Sequence, residues 1–270
     1  MKIAFWSNTP GQAGTTSNLL AVSLYISLKY KFNSILTQTA FRGNNMETPL
    51  IGVSSRNTDL FQDVGIDSLM REIKAAALTK TDFHNCSVSV IKGLNLITST
   101  SKENEDHYKV DVDKTFENII HYAESFFDIV FIDTLAGKND VTNKVLEEAD
   151  LIVINLSQNK TMLDEFFKNT SLDLNKAFFI IGNYDKNSTQ NIANLTRRYK
   201  KINGMNSAVI PHDTDFLDAQ SAGTLVDFMK RNIKADKDDN NYDFMNGVTS
   251  AANKILKKIG IKEEAENDAI

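Results

Sequence analysis

Short apolar runs alternate along this chain with longer stretches in which apolar side chains recur every three or four positions. The runs are Lys2–Ser7, Ser34–Gln38, Leu94–Thr98, Ile129–Asp133, Leu151–Leu156, Ala177–Gly182 and Ser207–Ile210. They are mostly Ile, Val, Leu and Phe without a polar face, which is the pattern of strands buried on both sides. Between them, Leu20, Leu24 and Leu28 share one helical face, after Ser and Thr residues able to cap its start. Leu69, Ile73 and Ala77 repeat the spacing, as do Phe116, Ile119, Ile120 and Ala123. Leu163, Phe166 and Phe167 follow the fifth run, and Ile192 to Tyr199 follows the sixth. The charged stretch Lys234–Asn241 reads as a surface loop, and Tyr242–Ile259 as a final helix. Alternation of this kind predicts an α/β fold: a doubly wound, mostly parallel sheet with helices on both faces. There is no glycine- or proline-rich linker and no repeat, so one domain is expected over 1–260. The acidic segment 261–270 is expected to be a disordered tail.

Composition narrows the possibilities. With 270 residues, 41% of them hydrophobic, the chain can bury a sizeable core. A net charge of -5 gives no global basic field for nucleic acid. The lone Cys86 can form no internal disulfide; it suits a reducing compartment and a small core position. No apolar run approaches the roughly 20 residues that span a bilayer, and the first residues lack the stretch of a signal peptide. A cytoplasmic protein is expected. His84, His107, His121 and His212 show no metal-ligand spacing.

Candidate chemistry gathers after the first run. Thr9-Pro10-Gly11-Gln12-Ala13-Gly14-Thr15-Thr16 lies between a strand and a helix, the setting of a phosphate-binding loop. In the spacing G-x-x-x-x-G-K-[ST], Gly14 and Thr16 are in place, while Thr9 replaces the first glycine and Thr15 the lysine. Backbone N–H groups of such a turn form an anion nest, and the helix start adds about half a positive charge. Thr16 can offer its hydroxyl to Mg²⁺. Loss of the lysine removes a charge-assisted contact of about 1.5–3 kcal/mol, on the order of tenfold to a hundredfold in affinity. A plain strand-to-helix turn has the same outline. Further on, Ile129-Val130-Phe131-Ile132 ends in Asp133, at the C-terminal sheet edge where ligands of α/β folds sit. An aspartate there supports Mg²⁺ in phosphate-loop proteins.

These stretches, in this order, resemble the MinD/ParA family of P-loop ATPases over most of the chain. The family loop K-G-G-V-G-K-T-T corresponds to Pro10 through Ser17, with Pro10 and Thr15 in place of its two lysines. F-D-Y-I-I-I-D-T-P-P-G corresponds to Phe127–Gly137, with Leu135-Ala136 at the prolines. A-D-x-V-I-I-V corresponds to Ala149-Asp150 and the strand after them. The strand-end asparagine that contacts adenine corresponds to Asn183, the I-P-x-D loop beside the base to Ile210-Pro211-His212-Asp213, and A-x-x-x-G-x-x-V to Ala219 through Val226.

The resemblance implies ATP or ADP with Mg²⁺. The nucleotide would be held by Gly11, Gln12, Ala13, Gly14, Thr15, Thr16, Ser17, Asn183, Pro211, His212 and Asp213, and the metal by Thr16 and Asp133. The family's D-x-D falls on Gln38 and Ala40, and no carboxylate follows before Glu47. Water positioning and phosphate clamping are therefore both reduced, and no catalytic residue is assigned. Arg42 is the nearest cation that could take over phosphate contact.

The expected function is a nucleotide-binding switch or adaptor with weak or absent hydrolysis. An active partitioning ATPase and a non-binding scaffold are the alternatives. Altered phosphate loops also occur in the TadZ/CpaE branch, which implies Flp/Tad pilus or secretion-system assembly and a polar location. A homodimer with protein partners is implied. Arg197, Arg198, Lys200 and Lys201 form a basic cluster that could touch DNA, although a helix end favours such residues anyway. The basic helix around Ile255-Leu256 is followed by Glu263, Glu264 and Glu266, so membrane contact is not expected.

Overall fold

The computed structural model describes residues 1–41, 46–52, 64–75, 78–100, 105–137 and 139–261, with the backbone alone over 105–114. Eight strands are found among them: β1 Lys2–Trp6, β2 Ser34–Gln38, β3 Val88–Ile91, β4 Leu94–Leu96, β5 Ile129–Asp133, β6 Leu151–Leu156, β7 Ala177–Tyr184 and β8 Ser207–Pro211. They form one sheet in the order β3-β4-β2-β5-β1-β6-β7-β8. All pairs are parallel except β3 with β4, a hairpin closed at Lys92-Gly93. The seven apolar runs of the sequence are seven of these strands. The eighth, β3, is an edge strand whose residues are only partly buried, so no apolar run announces it.

The helices are α1 Thr15–Lys29, α2 Glu47–Ile51, α3 Ile66–Ala75, α4 Lys80–Asn85, α5 Glu105–Phe126, α6 Asp140–Glu148, α7 Lys160–Asn169, α8 Ile192–Arg198, α9 Thr214–Ala222, α10 Leu225–Asn232 and α11 Tyr242–Lys258. Side chains of each strand alternate between two cores, as the pleat requires. Ile3, Phe5, Phe131, Val153 and Ile180 face a layer made by α1, α2, α9, α10 and α11. Ala4, Trp6, Ile132, Ile154 and Phe179 face the layer of α3 to α8. Ile255 and Leu256, the apolar pair of the final helix, are buried in the first of these cores rather than presented to lipid. No described helix is long and apolar enough to cross a membrane.

This topology fixes where a ligand can sit. From β1 the chain runs through α1 to β2 on the far side of β5, whereas from β5 it runs through α6 to β6 on the other side of β1. The winding direction reverses around β1, and the two connections part above its C-terminal end. That divergence opens a crevice at the sheet edge.

Candidate functional site

The loop after β1 occupies that crevice. Gly14 is the N-cap of α1 in the left-handed region (φ 63°, ψ 37°), and no side chain caps the helix. The first N–H groups of α1 therefore have no intrahelical acceptor and remain available to an anion. A left-handed N-cap favours glycine, which accounts for Gly14 at this position.

The loop is held from beneath by amides. Asn18 donates from Nδ2 to Ala13 O (3.1 Å) and to Asn155 Oδ1 (2.8 Å). Asn155, fully buried on β6, donates in turn to Val153 O and Trp6 O. Gly182 of β7 lets the loop descend onto the sheet: a Cβ there would stand 2.2 Å from Ala13 O.

Asp133 ends β5, level with Phe5 of β1 and Gln38 of β2. It is 7% exposed, and Thr16 Oγ1 donates to its Oδ2 at 2.6 Å. Burial pushes its carboxyl up to about 7, against the pull of the Thr16 hydrogen bond. A cation at this point would restore the charged form. The segment after Asp133 is tied to its surroundings. Thr134 donates to Phe5 O from both N (3.0 Å) and Oγ1 (2.8 Å), Leu135 N donates to Thr39 Oγ1 (2.9 Å), and Gly137 N donates to Ser7 O (3.0 Å).

Together these segments bound a cleft of about 390 Å³. Of the residues the sequence singles out, Gly11, Gly14, Thr15, Thr16, Ser17, Asp133 and Asn183 line it. Asn183 is exposed at the end of β7 in a left-handed conformation (φ 47°), and its amide nitrogen lies 3.7 Å from where a Gly14 Cβ would be. Gln12 and Ala13 lie on the reverse of the loop, against Leu156, Met162 and Leu163. Pro211, His212 and Asp213 are outside the cleft lining. Pro211 packs beside Gly247 of α11, and Asp213 caps α9 by accepting from Phe216 N at 2.8 Å. Burial moves the Asp213 carboxyl upward. Arg42 falls outside the described residues.

The structure adds residues the sequence reading did not assign. Gln220 of α9 lines the cleft and accepts from Ser17 Oγ at 2.9 Å. Only the three-dimensional meeting of α1 with α9, 203 positions apart, marks it. Ala40, Leu135 and Ala136 also line the cleft. Glu47 does not: it is buried at the start of α2 and accepts from Ser99 N at 2.6 Å.

The hydroxyl and carboxylate of Thr16 and Asp133 form a hard donor pair suited to Mg²⁺. No group of three or more His, Cys, Asp or Glu among the described residues could hold a metal. With only this pair among the described residues, a cation here would take further ligands from water and ligand oxygens, as Mg²⁺ does with phosphates.

The basic cluster at the end of α8 is divided. Arg198 makes a bidentate pair with Asp164 (2.8–3.1 Å), which also accepts from the Tyr199 hydroxyl at 2.7 Å. The Tyr199 hydrogen bond, then Arg198, holds the Asp164 carboxyl below its ordinary range. Arg197, Lys200 and Lys201 are exposed beside this pair.

No family model and no curated protein matches the chain. Solved structures do. A ParA family ATPase from Chlorobium tepidum TLS superposes with a TM-score of 0.71 at 15% identity, over 96% of this chain and 99% of the other. A putative plasmid partition protein from Borrelia burgdorferi B31 bound to AMPPNP gives 0.62 at 18%, over 95% and 98%. The septum site-determining protein MinD of Pyrococcus horikoshii OT3, complexed with Mg-ADP, gives 0.64 at 15%, over 96% and 97%. At these identities the likeness is one of fold: the chain has the architecture of the ParA/MinD P-loop ATPases.

Proposed function

We propose that this chain, with its ParA/MinD fold, is an adenine-nucleotide-binding switch that takes Mg²⁺ with its nucleotide and hydrolyses it slowly or not at all. The observation that carries this reading is the Thr16–Asp133 hydrogen bond at 2.6 Å on the floor of the cleft. It joins the start of α1 to the end of β5, so one cation could be shared by a hydroxyl and a carboxylate that face a phosphate nest. The AMPPNP and Mg-ADP held by two structures of the same fold support the choice of ligand.

In this reading the N–H groups around Gly11 to Ser17 receive the phosphates, and Asn183 meets the base. Bound Mg²⁺ would supply positive charge to phosphate oxygens. Thr16 and Asp133 would hold it, and the Asn18–Asn155 amides hold the loop from beneath. Thr15, Gln38 and Ala40 bring no cation or carboxylate to the phosphates, so these three positions supply none of the groups that position water and stabilise developing charge. A slow or inert nucleotide site on this fold suits a homodimeric adaptor that positions a partition, pilus or secretion machine.

Calorimetry with ATP and ADP in Mg²⁺, followed by phosphate release, tests the proposal. Binding without rapid turnover is expected. Thr15→Lys should tighten binding by about tenfold to a hundredfold, the worth of a charge-assisted phosphate contact. Absence of binding at millimolar nucleotide would leave a scaffold in place of a switch, and rapid partner-stimulated phosphate release would make it an ATPase.

A further inference from the structure

Two helices meet at the cleft through one side-chain pair. Ser17 lies in the first turn of α1 and Gln220 in the last turn of α9, and both line the cleft. Ser17 Oγ donates to Gln220 Oε1 at 2.9 Å. The ends of a carboxamide differ in kind: the oxygen accepts, and the nitrogen carries two N–H donors. Tying the oxygen to Ser17 fixes the orientation of the whole group. This is the one hydrogen bond that the Gln220 side chain makes among the described residues, so both of its N–H donors are left for a ligand.

Ser17 is the opposite case. A hydroxyl has one proton to give, and here Gln220 holds it. Toward the cleft the Ser17 side chain therefore offers lone pairs, which an anion does not want. The first intrahelical bond of α1 runs from Asn18 N to Gly14 O at 2.8 Å. The N–H groups of Thr15, Thr16 and Ser17 precede it and point toward the cleft end of the helix. The Gln220 nitrogen extends that row of donors from the backbone of α1 onto α9. Being neutral, it adds a donor without competing with a cation at Thr16 and Asp133.

We infer that Gln220 is a ligand-contacting residue whose amide nitrogen donates to a phosphate oxygen of the nucleotide at the start of α1. This rests on the reading of the cleft as a nucleotide site, and deepens it with a phosphate donor supplied by α9 rather than by the loop. Through it a bound phosphate ties α9 to α1.

The test is calorimetric titration of the intact protein with ADP and with pyrophosphate at one fixed Mg²⁺ concentration. The parent is compared with Gln220→Met, Ser17→Ala and the double variant, because methionine keeps the length of the side chain without either end of the amide. Gln220→Met is expected to weaken both ligands about tenfold or more, as for a lost hydrogen bond to a charged group. It should do so again in the Ser17→Ala background. Gln220→Glu keeps an acceptor for Ser17; it should weaken both ligands at least as much and leave the melting temperature of the ligand-free protein close to the parent's. A loss confined to proteins that retain Ser17 would make Gln220 a brace for that hydroxyl and overturn the inference. A loss for ADP without one for pyrophosphate would move the contact to the sugar or base and overturn it as well. Unchanged affinity for both ligands in Gln220→Met overturns it and leaves the nucleotide reading intact. Failure of the parent to bind either ligand overturns the inference and the nucleotide reading together.

Discussion

Burial and cation binding make opposite demands on Asp133. In the unfolded chain its carboxyl titrates near 3.8, and in the folded protein burial carries it to about 7. Between those values the folded state keeps a proton that the unfolded state has released. The contribution of this group to stability is therefore fully present below 3.8 and falls as pH rises toward 7. The loss is on the order of 4 kcal/mol at most. Asp133→Asn removes the titration while Thr16 keeps an oxygen to donate to. The nucleotide-free variant is expected to melt higher than the parent at pH 7.5 and close to it near pH 4. It should also lose the Mg²⁺ dependence of nucleotide binding. Melting curves across pH and calorimetry with and without Mg²⁺ check both, and an unchanged melting temperature at pH 7.5 would contradict the account. Thr16 and Asp133 were readable because each sits at a fixed offset from a strand end. Gln220 was not, because its partner Ser17 lies on another helix and nothing local records the meeting.

The strand-to-helix turn depends on how closely β7 lets it approach. A methyl group at Gly182 would meet Ala13 O at 2.2 Å and Asn18 Nδ2 at 2.7 Å, so both the loop and its amide support would have to move. Gly182→Ala is expected to cost about 1–3 kcal/mol, a fall of several degrees in melting temperature, and to weaken nucleotide binding with it. Gly204→Ala, where an added Cβ meets nothing within 4 Å, should change stability by no more than about 0.5 kcal/mol. Equal effects of the two changes would remove the close-approach argument. Strands were legible wherever burial on both faces left an uninterrupted apolar run. Half-buried β3 gave no such run. Helices α2 and α4, of 5 and 6 residues, are too short for a helical period to show. Strand β7 runs on past Gly182 to Tyr184, which pairs with Pro211, across a register irregularity that contains Asn183 in a left-handed backbone seldom adopted by residues other than glycine.

The layered α/β architecture could be read from alternation alone, but the strand order could not. Strand β1 pairs with β5 and β6, which lie more than a hundred positions away, and no local pattern encodes that choice. The same wrapping decides where the chain's single tryptophan falls. Trp6 is the last residue of β1, 5% exposed, and its Nε1 donates to Gly137 O at 2.8 Å. An indole so enclosed should fluoresce well to the blue of a solvated one. Its single hydrogen bond touches the segment that forms the β5 wall of the cleft, so its emission is an optical gauge of that wall. A titration with ADP and Mg²⁺ is expected to give a saturable change in intensity that follows the calorimetric isotherm, and the change should vanish in Trp6→Phe. Stopped-flow mixing would then time ligand arrival and departure at the cleft without any attached label.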